Sequence, residues 1–201
     1  LVGLYGIWQD PAEKPPKGSK SHLLGTRIDL GLVVSNDGIF FREPVTDFKV
    51  IRRGGAEAWD RFALLQGHAF ANVGDKTYLW YSHWDCDGEF RNQDIGLATL
   101  RRDGFGYLSA RDAAAASVCE NAFFDMAENS ELLINADLLT PDTPLRVELL
   151  DRQLQRVAAA AVTGAGTRVP VMRVPQGRYA VRATMPAGSP ARIYAFYLGR
   201  Q

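Results

Sequence analysis

The sequence predicts an all-β protein in two parts: a partial five-bladed β-propeller, about its last two blades, over residues 1–110, and a β-sandwich over residues 111–201. Three observations carry this reading. The apolar runs are short, rich in aromatic and β-branched residues, and divided by Gly, Asp, Asn and Pro, which is the punctuation of strands and tight turns. One stretch occurs twice, DLGLVVSNDGIFF from Asp29 and DIGLATLRRDGFGYL from Asp94, and an internal repeat of this kind points to a repeated supersecondary unit. Beyond residue 110 the stretch does not recur, although strand-like runs continue.

Taken in order, LVGLYGIW reads as the first strand. Residues 11–27, PAEKPPKGSKSHLLGTR, read as a solvated loop inserted between two strands. IDLGLVVS and IFFREP then flank Asn36-Asp37-Gly38, and DIGLATL and FGYL flank Arg102-Asp103-Gly104. In each corner Asp-Gly supplies the left-handed glycine a tight hairpin demands. The second copy has more around it: HAFANV, a GDK turn, KTYLWYSHW, a loop, DIGLATL and FGYL make four strands in sequence, the unit of a propeller blade. By the same measure the first blade lacks its inner strand, which is expected before Leu1 or from a complementary chain.

Near Ala110 the texture changes. ARDAAAAS has helical propensity taken alone, but a series of strands succeeds it: ELLINADLL, PLRVELLD, TRVPVMRV, GRYAVRATMP and ARIYAFYLG. Tyr179, Val181 and Ala183 alternate with Arg178, Ala180 and Arg182, as in a half-exposed sheet.

Composition narrows the function classes. Lysine plus arginine and aspartate plus glutamate number 23 each, for a formal charge of zero, which removes the electrostatic case for nucleic acid or an anionic membrane. No apolar run approaches the roughly 20 residues of a membrane-spanning helix. The chain opens on Leu1 without the basic flank and cleavage pattern of a signal peptide, so either a leader has been removed or the sequence begins inside a longer protein. Cys86 and Cys119 fit no metal-ligand spacing. One disulfide and two buried thiols both suit them. The compartment stays open, a secreted or periplasmic location being the favoured one.

LLQGHAFANVGDKTYLWYSHWD, residues 64–85, with Gly67-His68 opening an inner strand and a Tyr-rich strand after it, resembles the last-blade segment of five-bladed β-propeller glycoside hydrolases of family 43. The DGF corner, and LLINAD followed by LRVELLD with Asn135, Asp137, Glu148 and Asp151, resemble the passage from such a propeller into the β-sandwich of the related family 32 enzymes. The resemblance implies the C-terminal portion of a sugar-cleaving enzyme. Its paired carboxylates would act through an oxocarbenium-like transition state from inner strands of earlier blades. The Asn-Asp-Pro, Arg-Asp-Pro and Glu-Cys-Pro motifs of family 32 do not occur. Glu43-Pro44 falls on an outer strand, so the catalytic acids are expected outside this chain.

Five residues are candidates for substrate contact. In the resembled family the histidine at the position of His68 points into the axial channel and helps hold calcium or ordered water beneath the sugar. Calcium prefers oxygen ligands, so a metal at His68 would be held mostly through water; the plain alternative is a histidine satisfied by backbone groups. Trp59-Asp60 precedes the inner strand of the second blade and Trp84-Asp85 follows the next strand. An indole beside a carboxylate suits a sugar, whose CH face stacks while its hydroxyls need acceptors; the alternative is packing between blades. His83 reads as a surface or packing residue rather than a proton shuttle. Asp37-Gly38 and Asp103-Gly104 are similar to the Asp-box turns of sialidase-like propellers and carry no chemistry.

The leading reading is therefore the C-terminal portion of a glycoside hydrolase that acts on an oligo- or polysaccharide. Its propeller is completed by missing N-terminal blades or by a complementary chain. A non-catalytic carbohydrate-binding or interaction module is the alternative from another class. A propeller phosphorylase or lyase is a third, since fold does not fix chemistry.

Overall fold

The computed structural model describes residues 1–9, 23–86 and 94–199, with His68 described in its backbone alone. The expected loop over 11–27 therefore lies mostly outside the described residues. The described chain is all-β: it contains several sheets, none of them closed, and no helix. It divides into two compact units, Leu1–Leu100 and Arg101–Gln201. The second Asp-Gly corner thus belongs to the second unit, whereas the sequence places the boundary near Ala110.

The first unit holds β1 (Val2–Gln9), β2 (Arg27–Val34), β3 (Lys49–Ile51), β4 (Ala63–Val73), β5 (Lys76–Trp84) and β6, which runs Ile95–Arg101. The sheet runs β1-β2-β4-β5-β6, with β3 on β2. β1 and β2 pair antiparallel in unbroken register from Val2↔Val34 to Gln9↔Arg27. β4 and β5 form a tight hairpin at Val73↔Lys76, where Gly74 has a φ of 55°, a conformation that costs glycine nothing. The sequence expects two separate blades; here a single parallel pair, Ile28↔Ala63, links the two halves into one sheet.

The duplicated stretch has a physical explanation in this sheet. Gly31 of β2 lies under the ring of Tyr5 on β1, and Gly96 of β6 lies under the ring of Tyr81 on β5; at both positions a Cβ would overlap the ring. An aromatic side chain laid across a glycine on the neighbouring strand covers backbone that glycine leaves bare. Asp-x-Gly-Leu is thus the half of each hairpin that receives a tyrosine.

The two turns depart from expectation. Gly38 is left-handed, with a φ of 77°. The Asp37 carboxylate accepts from the N–H groups of Ile39 and Phe40, both at 2.9 Å. These bonds, that from Phe40 first, hold its pKa below the ordinary carboxylate value. With the N–H groups of Ile39 and Phe40 turned onto Asp37, residues 39–41 form no strand, and a bridge between Val34 and Arg42 follows them. Glu43 accordingly lies outside any strand, not on an outer one. In the second corner the left-handed residue is Asp103, with a φ of 51°. Gly104 instead donates its N–H to the Arg101 carbonyl at 2.8 Å.

In the second unit are β7 (Leu108–Ser109), β8 (Ser117–Glu120), β9 (Phe124–Met126), β10 (Ser130–Asp137), β11 (Leu145–Leu150), β12 (Arg156–Val162), β13 (Gly166–Val174), β14 (Gly177–Met185) and β15 (Arg192–Gly199). One sheet runs β13-β10-β15-β7; the other runs β12-β11-β14-β8, with β9 on β14. Both contribute to one core: Leu132, Ile134 and Ile193 come from the first, and Val147, Leu149, Val181 and Met185 from the second. The FGYL run yields only β7, which pairs with β15 through Leu108↔Ile193 and not with β6 as the fourth strand of a blade. The alanine-rich RVAAAAV of β12, which the sequence pattern does not mark, is a strand because β11 pairs with it from Leu145↔Val162 to Leu150↔Arg156. Tertiary pairing overrides helical propensity there.

Candidate functional site

The candidate site is built on β5 and on the loop between β3 and β4. Along β5 the side chains of Tyr81 and His83 point to one face and are buried, as is Asp85 just beyond the strand. The period-two alternation of a strand fixes this row.

The loop is moored by Asp29, the acid that opens the first copy of the repeat. Its buried carboxylate meets the Lys49 ammonium at 2.7 Å and the Arg53 guanidinium at 2.8 Å. It also accepts from the Arg53 backbone N–H at 2.9 Å and the Gln9 amide at 2.9 Å. Burial alone would raise its pKa, but the bonds from Lys49 and Arg53 and their charges outweigh that and hold it below 3.8. From there the chain folds tightly: Gly54 donates to the Asp60 carbonyl at 3.2 Å and Ala58 to the Gly55 carbonyl at 3.0 Å. A Cβ on Gly54 would overlap Ala58 and the Asp60 carboxylate, while one on Gly55 would meet nothing.

This fold sets Trp59 and Asp60 over the β5 row. The Trp59 indole stacks on Tyr81 with ring centroids 5.9 Å apart and planes 15° apart. It stands edge-on to His83 at 5.7 Å and 82°. Trp59 is still 44% exposed, so indole surface stays open to solvent. The Tyr81 hydroxyl donates to the Asp60 carboxylate at 3.0 Å. Burial first, and the Asp60 acceptor second, push the Tyr81 pKa up to about 12.

His83 is 1% exposed, and neither ring nitrogen has a hydrogen-bond partner among the described residues. Its backbone N–H donates to the Asp94 carbonyl at 3.0 Å. Burial pulls the imidazole pKa below 6.5, opposed by the charges of Asp85, Asp60 and Asp94. Asp85 is buried too, its Oδ1 without a hydrogen bond among the described residues and 3.8 Å from the Arg61 guanidinium. Arg61 also lies over the Phe62 ring at 4.7 Å. An imidazole, two carboxylates and a guanidinium thus gather around an aromatic pair.

Of the residues singled out from sequence, the fold brings Trp59, Asp60 and Asp85 into this cluster. Trp84 goes elsewhere: strand alternation turns it away from His83, and it packs against Ile28, Ala63 and Cys86. His68 lies in the irregular stretch of β4 between Gln66 and Phe70, and its side chain is outside the described residues. Among the described residues no three His, Cys, Asp or Glu side chains are grouped to hold a metal. The expected calcium rests on the His68 side chain, which lies outside the described residues. Neither Cys86 nor Cys119 forms a disulfide.

Sequence pattern does not single out Tyr81 or Arg61, and it reads His83 as a surface or packing residue. The Tyr81-x-His83-x-Asp85 alternation is the one local signal for the row. The sequence marks Trp59-Asp60 on the loop that covers it, but not the mooring of that loop to Asp29. No protein-family model matches the chain, and no curated protein matches it.

Proposed function

We propose that this chain is the carbohydrate-contacting C-terminal portion of a glycoside hydrolase whose catalytic carboxylates lie outside residues 1–201. On this reading the first unit supplies blades of a five-bladed propeller, completed by chain from outside these residues, and the second unit is a β-sandwich. The observation that carries it is the Trp59 indole, buttressed from behind by Tyr81, open to solvent and set beside the Asp60 carboxylate. A pyranose presents an apolar CH face to such a ring and hydroxyls to such an acid. The uncharged balance of the chain suits a neutral glycan.

The test is binding of the purified chain to a panel of neutral oligo- and polysaccharides, followed by calorimetry on whatever is retained. Trp59→Ala should weaken binding about tenfold or more, equivalent to about 1.4 kcal/mol, and Trp59→Phe less. A chain that retains no glycan refutes the reading. If glycan is bound, release of reducing ends by the longest polypeptide carrying residues 1–201 supports the hydrolase. Binding without release supports the non-catalytic carbohydrate-binding module.

A further inference from the structure

The second unit repeats the chemistry of the Trp59 platform with residues of its own. β7 and β15 pair through Leu108↔Ile193 and Ser109↔Arg192. On its other side β15 pairs with β10 through Asn135↔Ala195 and then Ala136↔Ile193, so Tyr194 has no residue opposite it on β10. A bulge of this kind re-aims the side chain of the extra residue and is frequent beside functional sites. The Tyr194 ring meets Tyr107 with centroids 5.7 Å and planes 61° apart, and its hydroxyl donates to the Asp137 carboxylate at 2.9 Å. The Arg192 guanidinium lies over the Tyr107 ring at 4.6 Å, and that of Arg101 over the Tyr194 ring at 4.9 Å. Two cations thus hold the two rings. Tyr107 is still 50% exposed, and the Asp137 side chain 25%. The next residue, Leu138, has a φ of 56°, a conformation unfavourable for leucine, and strain of this kind gathers where ligands are clamped. An exposed ring, a supporting tyrosine and a carboxylate on that tyrosine's hydroxyl are also the parts of Trp59, Tyr81 and Asp60.

We propose that Tyr107 is a second sugar-contacting platform of this chain, with Asp137 and Arg192 at its rim. The class of ligand, a neutral glycan, rests on the carbohydrate reading, but the platform shares no residue with the Trp59 cluster. An exposed aromatic ring alone is ordinary. What singles out Tyr107 is its setting: cations hold both rings, a bulge aims the supporting ring, and that ring's hydroxyl is tied to an acid. A pyranose lays its CH face on such a ring. Its hydroxyls both donate and accept, so they call for an acceptor and a donor side by side. A carboxylate only accepts and a guanidinium only donates. Asp137 and Arg192 supply one of each, from paired positions on β10 and β15.

Calorimetry of the full 201-residue chain tests this, with a trisaccharide cut from the polysaccharide that the chain retains. Wild type should bind two trisaccharides per chain, Trp59→Ala and Tyr107→Leu one each, and the double variant none. Leucine keeps apolar bulk against Tyr194 and removes only the flat ring, so the variant should keep the β-sheet spectrum of wild type. Tyr107→Phe keeps the ring and should still bind two. Affinity for the parent polysaccharide should fall about tenfold or more on Tyr107→Leu. One trisaccharide per wild-type chain, lost on Trp59→Ala and unchanged by Tyr107→Leu, overturns the second platform and leaves the carbohydrate reading standing. Binding lost on Tyr107→Leu and unchanged by Trp59→Ala upholds the platform and refutes the role given to Trp59. A chain that binds no glycan overturns both.

Discussion

The ring of Tyr81 lies across Gly96 on the neighbouring strand, in the space a Cβ would occupy. Tyr5 and Gly31 repeat the arrangement in the other half of the sheet. In the second copy the tyrosine also carries the candidate site, since Tyr81 supports Trp59 on its face and Asp60 at its hydroxyl.

Gly96→Ala is expected to displace the Tyr81 ring and, with it, the Trp59 platform. Overpacking of this kind costs about 1–3 kcal/mol, to be read from urea unfolding of the first unit, and glycan binding should weaken in parallel. Gly55→Ala is the control, because nothing lies near its added methyl. Equal stability of the two variants would refute the role given to the tyrosine–glycine contact.

His83 predicts a pH dependence of known sign. Its folded pKa lies below 6.5, first because of burial, so the unfolded chain takes up the proton first. The neutral imidazole leaves stability intact above the unfolded value. Stability then falls as pH drops from about 6.5 toward the lower folded value, and this contribution levels off below that. His83→Phe keeps an aromatic edge for Trp59 and removes the titration. The difference in melting temperature between wild type and variant should therefore change across mildly acidic pH in favour of the variant. A difference that is flat with pH would show that His83 does not titrate as placed.

In the second unit the prediction rests on Asn135, which is fully buried. Its carbonyl accepts from Arg101 at 2.7 Å, and its amide donates to the Arg102 carbonyl and to the Tyr197 hydroxyl. Tyr197 in turn donates to Asp103 at 2.6 Å. This network fastens the corner that contains the second Asp-Gly to β10 and β15. Asn135→Ala strands several of these groups and should cost about 2–4 kcal/mol, since each buried group left unsatisfied costs about 1–3. Glu148→Ala is the comparison: its ion pairs with Arg146 and Arg156 involve half-exposed arginines, and such pairs contribute about 1 kcal/mol or less. A larger loss at Glu148 than at Asn135 would refute the ranking.

Local features were legible where one strand or one turn decides them. The β5 hairpin, the left-handed Gly38 and the five strand-like runs of the second unit come from turn residues and alternation within a few positions. Asp103 shows the limit of that reasoning. The dipeptide Asp-Gly promises a left-handed residue, but which of the two adopts it depends on Arg101 accepting from Gly104 and on Tyr197 holding Asp103. Among the candidate residues, Trp59 and Trp84 look alike in sequence, each with an aspartate after it. Only the mooring of the β3–β4 loop by Asp29 lifts the first over Tyr81, while pairing of Ala63 with Trp84 draws the second into the core.

That this protein is built of strands, that its first half says one thing twice, and that its charge is balanced are all written in the chain before it folds. Those properties reside in composition and in spacings of two to four residues, which need no partner to exist. Folding was required to take residues 39–41 out of the sheet, to give β7 to the second unit, and to bring Trp59, Asp60, His83 and Asp85 together. Each of these turns on hydrogen bonds and burial between residues far apart in the chain, so their energies arise only once the strands have found one another.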